Sequence, residues 1–258
     1  MDSEPRSVLL ELDAVSVNFG GLQVLIDVSF SVSSGEVVGL IGPNGAGKTT
    51  AFNVACGFVR PSSGHVRYPA AGKKNVRPSE LAGMGVARTL QGIGLFPHCT
   101  VLENVMAGGH HRRGGDFVTS LLALPRGVRS ERALRTSAMA VLERLGVADV
   151  AGAMPSAIPY GVAKKVAVAR ALMAEPQLLL LDEPASGLDE TELVEFAALI
   201  RELRAGMGIL LVEHDMEFVM PLVDRLVVLD FGEVIATGTP DVVRNQEAVI
   251  EAYLGVDQ

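Results

Sequence analysis

The chain has 258 residues, 48% of them hydrophobic, with 30 acidic against 22 basic side chains and a formal net charge of −8. That length suits one lobed domain with a large core, and the acidic balance excludes broad electrostatic attraction to nucleic acid or anionic lipid. No apolar run approaches the ~20 residues of a membrane span, the opening Met1-Asp2-Ser3-Glu4-Pro5 is unlike a secretory leader, and Cys56 and Cys99 alone imply no disulfide framework; the expected location is the cytosol, with another chain needed to hold it at any membrane.

In chain order, Val8, Leu10 and Leu12 alternate with Leu9, Glu11 and Asp13 and predict a strand, and Val28, Phe30 and Val32 alternate with serines and predict another. Val37-Val38-Gly39-Leu40-Ile41 reads as a buried strand. It runs directly into Gly42-Pro43-Asn44-Gly45-Ala46-Gly47-Lys48-Thr49-Thr50, which fits the pattern G-x-x-x-x-G-K-[ST] and leads into a helix over 50–54. Strand, glycine-rich loop and helix in that order form a cradle for phosphate. Gly42, Gly45 and Gly47 allow backbone conformations in which successive N–H groups converge, and the helix N-terminus adds its positive dipole end. Lys48 then brings a point charge to the β- and γ-phosphates, and the Thr49 hydroxyl is suited to ligate Mg²⁺. The chain is thus expected to bind a nucleoside triphosphate.

After the turn Pro61-Ser62-Ser63-Gly64 a short strand is predicted near 66–68, so the opening part is β-rich and largely antiparallel. From about 100 to 145 the pattern turns helical, with Ala138, Val141, Leu142 and Leu145 on one face. Gly108-Gly109-His110-His111-Arg112-Arg113-Gly114-Gly115 reads as a flexible, solvated excursion rather than a metal or phosphate site. The third part is α/β. Leu178 through Leu181 make a continuous apolar run, as expected of a strand covered on both faces. Leu193, Phe196, Ala197, Ile200 and Leu203 form a helix face, 209–212 is a further buried strand, and 225–229 with 233–236 read as a hairpin around Asp230-Phe231-Gly232. The tail over 248–254 reads as helical.

The second chemical signal is the pair of carboxylates that closes the 178–181 strand. In open α/β sheets, ligands bind at the C-terminal strand ends. Asp182 is placed there to hold Mg²⁺ through its water shell, and Glu183 to orient and deprotonate an attacking water.

With these residues in view, the chain resembles the ATP-binding subunits of ABC transporters over nearly everything from Val8 to Leu254. The resemblance implies a single α/β domain over 8–254, a P-loop NTPase (RecA-like) core with an antiparallel β subdomain and a helical subdomain. The first two occupy about 8–92 and 165–240, the helical subdomain about 93–164, and a helical tail 241–258. It also implies roles. Phe19 would stack on adenine, residues 42–50 would hold the phosphates, and Gln91 would sense Mg²⁺ and the attacking water. His214 would contact the γ-phosphate, and Asp189, in Ser186-Gly187-Leu188-Asp189, would lie on a loop crossing to a partner subunit. Taken alone, Phe19 reads equally as a core aromatic, His214 as a structural histidine and Asp189 as a helix N-cap.

Ile158-Pro159-Tyr160-Gly161-Val162 falls where that family has its signature, usually Leu-Ser-Gly-Gly-Gln, facing the partner's ATP. Here Pro159 has neither hydroxyl nor N–H to offer, and Val162 replaces the glutamine. The relaxed form resembles the importers of branched-chain amino acids. So do Phe19-Gly20-Gly21-Leu22, Leu95-Phe96-Pro97 followed by Thr100-Val101-Leu102-Glu103-Asn104-Val105, Glu213-His214-Asp215-Met216 and the ending Val249-Ile250-Glu251-Ala252-Tyr253-Leu254-Gly255. The implied protein is an ATPase that uses ATP and Mg²⁺ and pairs with a second ATPase subunit, identical or paralogous. It sits on the inner face of the plasma membrane through transmembrane permease subunits, docked near Leu95 to Pro97, and serves a solute-binding protein, with no nucleic acid partner. Import of urea, amides or another small solute, and a soluble non-transport ABC ATPase or weakly hydrolysing regulator, are the alternatives.

Overall fold

Two sheets divide the strands of the computed structural model, which describes residues 6–89, 92–109 and 125–254. In chain order the strands are β1 (Val8–Phe19), β2 (Leu22–Ser33), β3 (Val37–Ile41), β4 (Ser63–Tyr68), β5 (Lys73–Lys74), β6 (Val86–Arg88), β7 (Leu178–Asp182), β8 (Gly208–Val212), β9 (Arg225–Asp230) and β10 (Glu233–Gly238). The helices are α1 (Lys48–Ala55), α2 (Pro78–Leu81), α3 (Val101–Ala107), α4 (Pro125–Arg144), α5 (Tyr160–Leu172), α6 (Glu190–Arg204), α7 (Met216–Val219), α8 (Pro240–Val243) and α9 (Glu247–Leu254).

The first sheet is antiparallel, in the order β2-β1-β4-β5. Its alternation is the expected one: Val28, Phe30 and Val32 are buried. The intervening serines have a second use. The β1–β2 register shifts between Leu12 and Val15, where Ala14 takes a positive φ, as does Asp27 on β2. These bulge residues lose ladder partners, and serine hydroxyls replace them: Ala14 N–H donates to Ser29 Oγ at 2.9 Å and Asp27 N–H to Ser16 Oγ at 3.0 Å.

The second sheet has the order β10-β9-β3-β8-β7-β6 and is parallel except for β10, which returns antiparallel at the edge. Every residue of β3, β7 and β8 is buried, because both faces are covered. Successive side chains point to opposite faces, and two cores result. Val38, Leu40, Leu178, Leu180, Leu210 and Val212 pack with the antiparallel sheet and α1. Val37, Ile41, Leu179, Leu181, Ile209 and Leu211 pack with α3 through α7. At ~1.5–3 kcal/mol for each fully buried aliphatic side chain, this central sheet is the main source of cohesion.

Sequence and structure differ at two places. Ser63 and Gly64, expected in a turn, already belong to β4. Gly108 and Gly109, expected to open a flexible excursion, are close-packed: a Cβ at Gly108 would lie 1.9 Å from the Arg170 carbonyl oxygen and one at Gly109 2.5 Å from Leu134. Residues 110–124 lie outside those described.

Asn104 organises the loop ahead of α3. The helix begins with a capping box in which Glu103 N–H donates to Thr100 Oγ1 and Thr100 N–H to Glu103 Oε2. Asn104, fully buried, accepts from Phe96 N–H at 2.7 Å and donates to the carbonyls of Phe96, Cys99 and Thr100 at 3.0–3.1 Å. Asn104→Leu removes the side-chain partner of the Phe96 N–H and of the Phe96 and Cys99 carbonyls, while the Thr100 carbonyl keeps the Asn104 N–H; a loss of about 1–3 kcal/mol in denaturant-unfolding stability is expected.

Candidate active site

The loop between β3 and α1 is held in shape by close approach rather than by side chains. Gly42 has φ +150, and a Cβ there would fall 2.0 Å from the Leu229 carbonyl oxygen. Gly47, left-handed at φ +100, is the N-cap of α1 and provides no side-chain cap. The first N–H groups of the helix therefore stand at the loop with no side-chain acceptor from the N-cap. The Asp230-Phe231-Gly232 turn, expected as a hairpin connection, is one, and it also braces this loop. Gly232 N–H donates to the Ala46 carbonyl at 3.1 Å, and Ile26 N–H to the Gly232 carbonyl at 2.8 Å.

Lys48, the first residue of α1, is buried and folded over the loop, donating to the carbonyls of Gly42 at 2.7 Å and Pro43 at 2.8 Å. Burial lowers its pKa, and the nearby charges of Glu183 and Glu213 oppose that. Thr49 and Thr50 follow on α1.

The carboxylates arrive on the neighbouring strands. Asp182 ends β7 opposite Val212 of β8. It is buried, and burial and then the charge of Glu183 push its pKa up against the pull of Arg88. Glu183 is the turning point of the chain. Its N–H still donates to the Val212 carbonyl at 2.9 Å, extending the sheet by one bond, and its φ of +46 ends the strand. A left-handed conformation at a glutamate stores of order 1–3 kcal/mol that the surroundings must hold.

Two of those surroundings escaped the sequence reading. Glu213 is completely buried, accepting from Ala185 N–H at 2.7 Å and His214 N–H at 3.1 Å. Burial raises its pKa despite those bonds. Lys164, also buried, donates from Nζ to the Glu183 carbonyl at 3.1 Å. A glutamate directly before His214 at the end of an apolar strand was the available signal for the first; nothing in the local pattern of α5 marked the second.

The remaining candidates fall as follows. Phe19 ends β1 half exposed, not in the core. The His214 side chain is 56% exposed, with Nδ1 at 3.6 Å from Glu213 Oε2. Pro159 is the N-cap of α5, Tyr160 is exposed, and Gly161 is buried where a Cβ would meet Glu192 Oε1 at 2.3 Å. Val162 packs against the helical core, so this member of the segment serves packing. Asp189 is a helix N-cap: it accepts from Glu192 N–H at 2.8 Å in a capping box that opens α6. Gln91 lies outside the described residues. The site thus gathers Lys48, Asp182 and Glu183 at one end of the parallel sheet, with His214 after β8 beside them.

Residues 25–186 match the sequence profile of the ABC transporter family, and residues 233–258 match that of a branched-chain amino acid ATP-binding cassette transporter. The chain is 39% identical over 249 residues to the high-affinity branched-chain amino acid transport ATP-binding protein LivG of Salmonella typhimurium, covering 96% of this chain and 98% of that protein. It is 37% identical over 249 residues to the corresponding BraF of Pseudomonas aeruginosa, with the same coverage. Among solved structures, an ATP-binding cassette of an ABC transporter in its ADP conformation superposes with a TM-score of 0.81 at 30% identity, over 96% of this chain and 99% of that one.

Lys48→Ala removes the buried cation from the loop. Affinity for a nucleoside triphosphate, measured by titration calorimetry, is expected to fall about 10- to 100-fold, the loss of one charge-assisted contact.

Proposed function

Because this chain belongs to the ABC transporter family, as one of its ATP-binding cassettes, we propose that it is the ATP-hydrolysing subunit of an importer of branched-chain amino acids. The observation that carries this reading is the convergence of Lys48, Asp182 and Glu183 at the C-terminal end of the parallel sheet, with the phosphate loop beside them. The names of the relatives supply the solute class, since the proposed chemistry involves only nucleotide.

In the proposed cycle the loop N–H groups and the α1 N-terminus bind the phosphates, and Phe19, exposed at the end of β1, stacks on the base. Lys48 transfers its hydrogen bonds from the loop carbonyls to the terminal phosphate oxygens and stabilises the charge that grows there. Glu183 orients a water molecule in line with the γ-phosphorus and accepts its proton as the P–O bond to ADP breaks. His214 completes the contacts to the terminal phosphate, and Gln91 would sense the magnesium ion and the attacking water.

The residues present fit a magnesium ion. Asp182 and Glu183 repel one another on adjacent positions, which a cation would relieve, and Thr49 offers a hydroxyl at the loop. Among the described residues no three His, Cys, Asp or Glu side chains form a cage, as suits an ion held largely by phosphate oxygens and water. Bound there by Thr49 and, through water, by Asp182, it would supply charge neutralisation between the β- and γ-phosphates.

Two cassettes pair in this reading, each offering its Pro159–Val162 segment to the other's nucleotide, with the N-terminus of α5 in place of the missing serine hydroxyl. The permease docks on a groove of about 390 Å³ lined by Phe58, Leu81, Phe96 and Ala171 with Arg88 and Arg170. Arg88 lies 4.3 Å from the Phe58 ring centre, and its charge acts on the buried Asp182 carboxyl. Of the expected docking residues, Phe96 is exposed in this groove while Leu95 packs against the core. No helix among the described residues is long and apolar enough to cross a membrane, so contact with the bilayer would pass through the permease.

Glu183→Gln is expected to bind ATP, hold the paired state and hydrolyse at least about a hundredfold more slowly. Phosphate release and size-exclusion chromatography read both, and a rate near that of the unaltered protein removes Glu183 from its role. Phe96→Asp is expected to abolish ATP-driven uptake in reconstituted vesicles with nucleotide affinity kept; unchanged uptake discards the groove as the docking site.

A further inference from the structure

Beside the proposed reacting groups lie two buried charges of opposite sign, Lys164 and Glu213, that the chemistry just described does not use. Lys164 and Glu213 are 6% and 0% exposed. A buried ammonium or carboxylate is costly unless hydrogen-bonded: the Lys164 ammonium donates to the Glu183 carbonyl, and the Glu213 carboxylate accepts two backbone N–H groups. Burial lowers the Lys164 pKa, and the charges of Glu213 and Glu183 oppose that. The hydrogen bonds run in one direction: Lys164 Nζ to the Glu183 carbonyl, Ala185 N–H to Glu213 Oε1 and His214 N–H to Glu213 Oε2. The backbone after Pro184, at Ala185, is therefore tied to the backbone of His214 through the Glu213 carboxylate, and the backbone before it, at Glu183, to α5 through the Lys164 ammonium.

Helix α5 carries more than Lys164. Its first turn holds Tyr160, whose ring lies 5.4 Å from Lys164 Nζ and rests on Gly187, where a Cβ would be only 3.0 Å from Tyr160 Cε1. Gly161 of the same turn sits on Glu192, which closes the capping box with Asp189. The residues from Glu183 to Glu192 and the start of α5 are thus fitted to one another at three points. The start of α5 is the segment offered to the second cassette's nucleotide, and Glu183 attends to the chain's own.

We propose that Lys164 and Glu213 are positioning residues that fix the strained Glu183 turn and His214 in their reactive placement, and that they link this chain's own catalytic turn to the helix facing its partner's nucleotide. The inference rests on the ATPase reading above. A shift of α5 along its axis carries the Lys164 ammonium with it, and the Glu183 carbonyl must follow or lose its donor. Closure of the pair is transmitted to the attacking water by that route.

The test uses the full-length chain with magnesium and ATP, and the variants Lys164→Met, Lys164→Arg and Glu213→Gln. Lys164→Met and Glu213→Gln are each expected to lower kcat at least about tenfold, with KM for ATP within about twofold of the unaltered protein and ADP binding retained. Lys164→Arg keeps the cation and is expected to restore kcat to within about threefold. Combining Lys164→Met with Glu213→Gln is expected to cost no more than the worse single change, as for two members of one unit. Thermal melting accompanies each protein, and if Lys164→Met fails to fold, Glu213→Gln and Lys164→Arg decide. Unchanged kcat in Glu213→Gln, additive losses, a loss expressed in KM alone, or Lys164→Arg as slow as Glu213→Gln overturns the proposal while leaving the ATPase reading standing. An unaltered protein that does not hydrolyse ATP overturns both.

Discussion

A parallel sheet buried on both faces has almost nowhere to put a charge except at its strand ends. That constraint organises this molecule. β3 and β8 carry no ionisable residue and β7 none before its last, Asp182, and their apolar side chains are divided between two cores. Only where the strands stop do ionised groups enter: Lys48 after β3, Asp182 and Glu183 at the end of β7, Glu213 and His214 after β8. The parallel register places those ends side by side. The chemistry is concentrated there because the hydrophobic architecture leaves no alternative position for it.

Concentrating charge in this way creates an electrostatic problem of its own. Asp182, Glu183 and Glu213 are close enough to disturb one another, and burial raises the pKa of Asp182 and Glu213. Lys48 and Lys164 stand against them, each with its pKa lowered by burial and pulled back by the two glutamates. The result is a compact set of groups whose charges are mutually dependent. Such a set costs folding energy to assemble, and it is sensitive to the arrival of a further anion such as a triphosphate. Backbone geometry shows the same feature. The chain accepts a left-handed glutamate at 183, strain that the surrounding hydrogen bonds sustain, and needs glycine at 42, where any Cβ would meet the Leu229 carbonyl.

The supporting contacts come from distant parts of the chain. The β9–β10 turn braces the phosphate loop, α5 reaches the Glu183 carbonyl, and α6 fits under the first turn of α5 through Glu192. Such contacts make a site rigid enough for a positioned water, and they connect it to surfaces where other chains would bind. The groove around Phe58 and Phe96 touches the same α5 helix through Arg170 and Ala171. One helix thus borders the groove, reaches the Glu183 turn and carries an exposed Tyr160 in its first turn.

Much of this was legible in the residues themselves. The loop 42–50 announces itself because a phosphate cradle requires glycine and lysine at fixed spacing. The Leu178–Leu181 run followed by two acids announces a central strand with a reactive end, and the Asp230-Phe231-Gly232 hairpin was read correctly from its turn residues. These are local facts, set by backbone sterics and by the period of hydrophobic burial. What the residues alone left open was every question of partnership across the chain. Whether Asp189 caps a helix, whether Phe19 is buried and whether Leu95 or Phe96 faces outward depend on what packs against them. That Glu213 anchors the Ala185 and His214 backbone and that Lys164 reaches the Glu183 carbonyl depends on how α5 packs against strand ends far away in sequence. A buried charge leaves no periodic trace, because its energy comes from the desolvated space around it, and only the assembled fold creates that space.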